Sequence, residues 1–502
     1  MINFEHFNTR IGTQTIGPRY HFTDEGALIE SAKGIMEMGS DILKISLSTD
    51  AYHINTTKDY SLAELVTNEQ NFRYVMEMPF KYYIMWAQPK YTEEAGVFDF
   101  HLNEETERRL YDEFYKLTKH LLITYSGTGK VFLLGNWEGD WILLKGYDYT
   151  EDPENDIIQG MIRNLSIRQK AIEDARGNIA HENVWVGHYV EVNRPLDAKL
   201  NGMKRMTNKV LPYVKLDIVS YSCYDALWPN RLTEALDYIE RNARFTDYFD
   251  GIFEKKVFVG EYDGYRDYHQ HGYFSPEMQV ENASTVIASS ISWGAPFVLY
   301  WEYYNNEHER LIHGGGFWLV DEQNEKQPVY LAHRDILSKI NFLKNVYRFW
   351  LFRNPKESEL NDLIGKIHNK PAALLLKEFL ESEVFRSEIS VEEFVEKVVG
   401  CLFRSTGNMD ERMHIWHSRL KISNSRYEIL TELFDSNEFN SEIKDEDFIK
   451  VMGLEKITFN RNIKRSELWI YKLNRKKFIL EELELRKKSG IDLNKLASRY
   501  LF

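Results

Sequence analysis

Residues 130–140, KVFLLGNWEGD, decide how this chain is read. Val131 to Leu134 is a short apolar run broken by Gly135 and Asn136, the pattern of a strand buried within a parallel sheet. Trp137 and Glu138 follow at once. Residues 256–265, KVFVGEYDGY, repeat the arrangement, with Val257 to Val259 leading through Gly260 to Glu261. Each stretch sets a carboxylate just past a buried β run, with aromatic residues close by.

Outward from these two, strands are expected at Gly17–Phe22, Asp41–Ser48, Lys81–Gln88, Lys130–Trp137, Val184–Val192, Leu216–Tyr224, Lys256–Tyr262 and Pro296–Tyr303. Helical patterns alternate with them at Asp24–Met38, Asn103–Leu122, Asp156–Arg176, Arg231–Phe249 and Pro276–Trp293. Strand and helix alternating eight times within residues 1–345 predict an α/β fold, a (β/α)₈ barrel of the TIM type. An open, doubly wound sheet is the structural runner-up, but no strand runs into a Gly-rich dinucleotide loop. In a barrel the catalytic groups sit at the carboxyl ends of the strands, and strands four and seven face each other across the mouth.

The bulk composition narrows the ligand. A net charge of -14 repels phosphate backbones and anionic headgroups, so nucleic acid and membrane surfaces are poor partners and a neutral, polyhydroxylated ligand fits better. Aromatic residues make up 14% of the chain, enough to supply flat apolar faces for sugar rings. The two cysteines, Cys223 and Cys401, lie too far apart in sequence to form a redox or metal motif. Met1 to Arg10 holds no apolar run and no stretch reaches membrane-spanning length, so a cytoplasmic location is expected.

Past residue 345 the pattern becomes charged helix, and the fold is expected to end in an all-α region. Phe379 to Glu388 recurs as Leu433 to Glu442, and Leu351-Phe352-Arg353 as Leu402-Phe403-Arg404, which reads as two helical repeats over residues 346–445. A basic, amphipathic helix around Trp469 to Lys488 belongs to a tail over residues 446–502. This region is expected to dock to a protein or polysaccharide partner, or back onto the barrel, and to supply no catalytic group.

Cleavage of an acetal needs two carboxyl groups, one protonated for the leaving oxygen and one ionised to attack the anomeric carbon. Glu138 and Glu261 are the candidates. With that pair in view, residues 1–345 resemble clan A of the glycoside hydrolases, which carries its acid/base after strand four and its nucleophile after strand seven. The resemblance implies a retaining cleavage of an oligo- or polysaccharide, with Glu138 as acid/base, Glu261 as nucleophile, and no metal or cofactor. It also implies substrate contacts. Trp301 matches the strand-eight tryptophan under the sugar, Tyr221 or Tyr224 the strand-six tyrosine that bonds the nucleophile, and His188 a strand-five histidine. Trp86 and Trp137 are further candidates for stacking. The family's Asn stands directly before its acid/base, whereas here Trp137 intervenes and Asn136 is two residues back. The family's strand-two arginine is not evident either; Lys44 is the nearest basic residue, and Arg19 is the candidate to replace it. The repeats resemble a bacterial domain of unknown function, numbered 4214, through Ser436-Asn437-Glu438-Phe439 and its degenerate copy Ser382-Glu383-Val384-Phe385.

Blander readings stand beside these. A lone strand-end glutamate is more often solvated or ion-paired than catalytic, a buried histidine is more often scaffold, and tryptophans pack cores. A catalytically inactive carbohydrate-binding or scaffold barrel is therefore the competing class. Gly127-Thr128-Gly129-Lys130 lacks the Ser or Thr of a phosphate loop, and His313-Gly314-Gly315-Gly316 has no nucleophile elbow to serve.

Overall fold

The computed structural model describes residues 10–91, 102–227, 231–263, 276–306, 317–351 and 378–402, with scattered positions from 353 to 428. The chain divides into two compact units, Met1–Arg334 and Asp335–Phe502.

The first unit is a closed parallel barrel of eight strands: β1 (Ile11–Thr15), β2 (Ile42–Ser46), β3 (Tyr82–Trp86), β4 (Val131–Gly135), β5 (Trp185–Val192), β6 (Ile218–Ser222), β7 (Val257–Tyr262) and β8 (Val298–Tyr300). Each strand pairs with its sequence neighbours, and β1 closes the ring on β8. Seven strands fall where the sequence places them. The first does not: it lies at Ile11–Thr15, whereas Gly17–Phe22 forms no strand. Its sequence, IGTQT, hides it, because three polar residues stand where apolar ones are looked for. All three are buried, and Thr13 and Gln14 donate to carbonyls of β7 and β8. The helix expected to reach Phe249 ends at Asn242, and Arg244–Phe245 pairs instead with Lys215–Leu216 in a small parallel sheet.

Alternation along the strands sorts the interior into levels. Near the amino ends Ile42, Tyr82, Val131, Ile218 and Phe258 meet Ile84, Leu133, Tyr189 and Leu299 in one apolar cluster, closed from below by Phe249, Phe253 and Phe297. Two residues farther along the same strands, the series continues as Lys44, Trp86, Gly135, Glu191 and Ser220, with Ser222 two residues beyond that. The barrel therefore has an apolar floor and a polar upper level. Gly135 belongs to this packing: a Cβ there would lie 2.4 Å from the Tyr189 ring.

Outer helices cover the strands with apolar faces. The helix Glu104–Thr124 starts at Asn103, whose side chain accepts from the amides of Glu105 and Thr106, and it buries Leu110, Phe114, Leu117 and Leu121 at helical spacing. The helix Pro328–Leu351 begins in the first unit, where His333 receives a hydrogen bond from or gives one to Tyr262 Oη at 2.7 Å.

Within the second unit, Ser382 caps the helix Glu383–Glu388 by accepting from Phe385 N, and the buried rings of Phe379, Phe385 and Phe394 pack together. The second repeat copy, Leu433 to Glu442, and the tail around Trp469 lie outside the described residues. Among the described residues no helix is long and apolar enough to cross a membrane.

Candidate active site

Glu138 and Glu261 come together at the polar upper level, by different devices. Glu138 follows β4 as the residue that opens the short helix Gly139–Leu144, and it is buried. Glu261 lies within β7, where strict alternation from Phe258 would turn it outward. A bulge corrects this: Tyr221 pairs with Val259, but the next residue, Ser222, pairs with Glu261, so β7 carries one extra residue at Gly260. Gly260 is required because a Cβ there would lie 1.8 Å from Ser220 Oγ and 2.9 Å from Glu191 Oε2.

Ser222 joins the two carboxyls. Its Oγ lies 2.7 Å from Glu138 Oε1 and 3.1 Å from Glu261 Oε2. These two oxygens can be no farther apart than the two bonds laid end to end. A serine hydroxyl has one proton to give and lone pairs to receive. For both contacts to be hydrogen bonds, one carboxyl must itself carry a proton and donate it to Ser222.

Lys44 decides which one. Its buried ammonium donates to Glu261 Oε1 and Glu191 Oε2, each at 2.9 Å, and to the Gly260 carbonyl at 3.1 Å. Ser220 donates to the same Glu191 oxygen at 2.7 Å. Burial, then the charge of Glu261, pushes Glu138 well above the ordinary carboxylate range. Burial also raises Glu261, and although the adjacent Lys44 works against it, the group stays raised, at about 8. Burial alone would weaken the Lys44 ammonium; the two carboxylates hold it above its ordinary value. Glu261 is thus the member that ionises first, and Glu138 the member that keeps its proton.

Aromatic rings adjoin the pair. Trp86 and Trp301 stack at 6.2 Å with 29° between their planes, and Lys44 Nζ sits 5.1 Å from the Trp86 ring. Asn136 is buried beside Glu138, but its amide donates to the Trp137 carbonyl at 2.6 Å. Trp86 Nε1 and Asn136 Oδ1 are buried with no hydrogen-bond partner among the described residues.

Four expected contacts fall elsewhere. His188 lies on the outer face of β5, bonded to Gln169 and edge-on to Phe114, and burial, with Arg168 and Arg176 nearby, holds it well below its ordinary pKa. Tyr221 also points outward and donates to Asp225; its neighbour Ser222 makes the contact with the carboxylate. Tyr224 lies past the strand in the one-turn helix Tyr224–Ala226, with an exposed ring. Arg19 is exposed beyond β1, and Lys44 occupies the place it was expected to fill. Glu191, Ser220 and Ser222 were not foreseen. The signal for them is alternation from Ile218, which puts Ser220 and Ser222 on one face once the inward side is known.

Among the described residues no group of three His, Cys, Asp or Glu is placed to hold a metal ion. No family model matches the chain, including the segment that resembles the domain of unknown function. No curated protein matches it. Solved structures similar to it include a family 39 glycoside hydrolase from Bacteroides cellulosilyticus WH2, 12% identical over 66% of this chain and 64% of that one, with a TM-score of 0.39. A beta-glycosidase from Pyrococcus horikoshii is 12% identical over 66% of this chain and 94% of its own, with a TM-score of 0.41. An exo-beta-1,4-mannosidase from an Opitutaceae bacterium is 8% identical over 67% and 62%, with a TM-score of 0.40. The chain spans less than two thirds of the length of the first and third of these.

Proposed function

We propose that the barrel is a retaining glycoside hydrolase that cleaves an oligo- or polysaccharide, with Glu261 as nucleophile and Glu138 as acid/base. The observation that carries this reading is the carboxyl pair bridged by Ser222, one member ion-paired to Lys44. Two oxygens sharing one hydroxyl sit closer than the about 6.5 Å at which inverting pairs begin, and near the about 5–5.5 Å of retaining pairs.

The steps follow from the charges. Glu261 attacks the anomeric carbon as the bond to the leaving oxygen breaks, and Glu138 gives its proton to that oxygen, leaving a glycosyl ester on Glu261 and a carboxylate on Glu138. Esterification removes the negative charge of Glu261, so Glu138 can ionise. It then takes a proton from water as the water oxygen attacks the anomeric carbon and the bond from that carbon to Glu261 breaks, and both carboxyls return to their first states. Lys44 and Glu191 remain a neutral pair throughout. The unpartnered Trp86 Nε1 and Asn136 Oδ1 are the groups for sugar hydroxyls, since buried polar atoms are costly to leave unbonded.

The test is Glu261→Gly with an activated aryl glycoside. Turnover is expected to fall by about 10³-fold or more, and added azide is expected to restore it as a glycosyl azide of inverted configuration. Unchanged turnover, or loss with no azide product, counts against the reading. One feature favours a binding barrel without turnover: the Asn136 amide is already engaged by the Trp137 carbonyl. Oligosaccharide binding with no cleavage of any aryl glycoside would identify that case.

A further inference from the structure

We infer that Asp140 is the positioning residue of the acid/base: by tying the turn after β4 to the end of β5, it fixes the main chain that aims the Glu138 carboxyl. The inference rests on the reading of Glu138 as acid/base. Asp140 itself acts through Glu138 and not on the sugar.

Glu138 needs such a support because its own side chain is lightly held. Among the described residues its carboxyl has one hydrogen-bond contact, with Ser222 Oγ, whereas Glu261 is gripped by both Ser222 and Lys44. With a single side-chain contact, the direction of the carboxyl is set by the main chain that carries it. The helix that Glu138 opens cannot fix this main chain alone. Gly139–Leu144 has only six residues, and the bond that closes its first turn, from Ile142 N to the Glu138 carbonyl, is stretched to 3.4 Å.

Asp140 supplies what the helix lacks. It lies two residues past Glu138 and is fully buried. Its Oδ2 accepts from the amides of Asn193 and Arg194 at 2.9 and 3.0 Å, and its Oδ1 accepts from the amide of Met206 at 2.7 Å. Its own amide donates to Asn193 Oδ1 at 3.0 Å, so the link to Asn193 is reciprocal. Asn193 directly follows β5, and the chain past Glu138 is thereby moored to a barrel strand. Gly139 allows the close approach: a Cβ there would lie 2.7 Å from the Glu191 carbonyl oxygen and 3.0 Å from Met206 Cε. Only a carboxylate fits this seat. Both its oxygens face N–H donors, so the NH₂ of an asparagine would oppose an amide donor whichever way it turned. Reacting groups gain from being held this firmly before the substrate arrives.

The test separates aim from stability by the basicity of the leaving group. The whole chain, its Asp140→Asn variant and the milder Asn193→Ala, which removes only the acceptor of the Asp140 amide, are compared on phenyl and 2,4-dinitrophenyl glycosides, α and β, of glucose, mannose and xylose. A dinitrophenolate departs without a proton, whereas a phenolate needs one from Glu138. The loss in kcat/KM on the phenyl glycoside is expected to exceed that on the dinitrophenyl glycoside by about 10²-fold in Asp140→Asn and about tenfold in Asn193→Ala. Azide is expected to raise kcat of both variants on the dinitrophenyl glycoside and to yield a glycosyl azide of the substrate's own configuration, because the glycosyl ester forms but its base is misplaced. A role in stability alone lowers both probes alike. Equal losses on the two probes, or none on either, therefore overturn the inference while the catalytic reading stands. If Asp140→Asn does not fold, Asn193→Ala decides by the same ratio. A wild-type chain inactive on every glycoside overturns the catalytic reading, and the inference with it.

Discussion

Lys44 shows how much one buried charge governs in this barrel. It faces two carboxylates and a carbonyl and is fully enclosed. Replacing it by methionine leaves Glu191 and Glu261 buried against each other with no cation, which costs about 3–5 kcal/mol. Lys44→Met is expected to lower the denaturant midpoint accordingly and to abolish turnover at neutral pH. A variant as stable as wild type would show that the ion pair is not what holds the upper level. Glu138→Gln is expected to act in the opposite sense. Burial and Glu261 raise the Glu138 pKa above its unfolded value of 4.5, so the folded state binds the proton more tightly than the unfolded chain does. Its contribution to stability is then full below about pH 4.5 and is lost as pH rises. Glutamine does not titrate, so the variant's Tm should exceed wild type by a margin that widens between pH 5 and 8. A constant margin, or one that narrows, would contradict the assignment. Sequence legibility at this scale follows burial geometry. Glu138 and Glu261 stand at strand ends and can be picked out. Tyr221 and Ser222 cannot be told apart, because a strand covered on both faces shows no polar alternation and its inward side is unmarked.

Among the elements, β7 does most to assemble the site, and it does so through a one-residue irregularity. The register slip at Gly260 brings Glu261 opposite Ser222 on the inner face. Gly260→Ala would place a methyl group 1.8 Å from Ser220 Oγ and is expected to force the strand back to regular pairing or push Ser220 and Glu191 aside. Turnover should fall by at least about 10²-fold, more than any change in Tm would suggest, since small misplacement of a reacting group is enough. Retained turnover with an intact barrel would show that the bulge is tolerant. No sequence rule announces this bulge; a glycine within a strand only hints at one. β1 was hidden for a related reason. Its buried Thr13, Gln14 and Thr15 give it a loop's composition, while the other seven strands advertise themselves by apolar runs.

At the scale of the molecule, the barrel unit runs to Arg334, so it includes the opening turns of the helix Pro328–Leu351. Val329 and Tyr330 are buried there, and His333 touches Tyr262 and Tyr300 on the outside of β7 and β8. A chain ending at residue 351 is expected to fold and to keep its turnover of a small aryl glycoside, consistent with a helical module that serves location or partner choice. One ending before Pro328 is expected to lose several degrees of Tm, or its solubility, as β7 and β8 lose that cover. A folded, inactive 351-residue chain would place a needed group in the helical unit.

The bridge at Ser222 has a further consequence, for timing. On the mechanism proposed above, its hydroxyl first points toward Glu261 and accepts from Glu138; once Glu261 is an ester and Glu138 an anion, the favourable direction reverses. The reversal requires only rotation about a Cβ–Oγ bond, which takes picoseconds to nanoseconds. If Glu261 and Glu138 act as proposed, the protein's share of moving from glycosylation to deglycosylation is the turning of one hydrogen atom, with every heavy atom of the floor left where it stands.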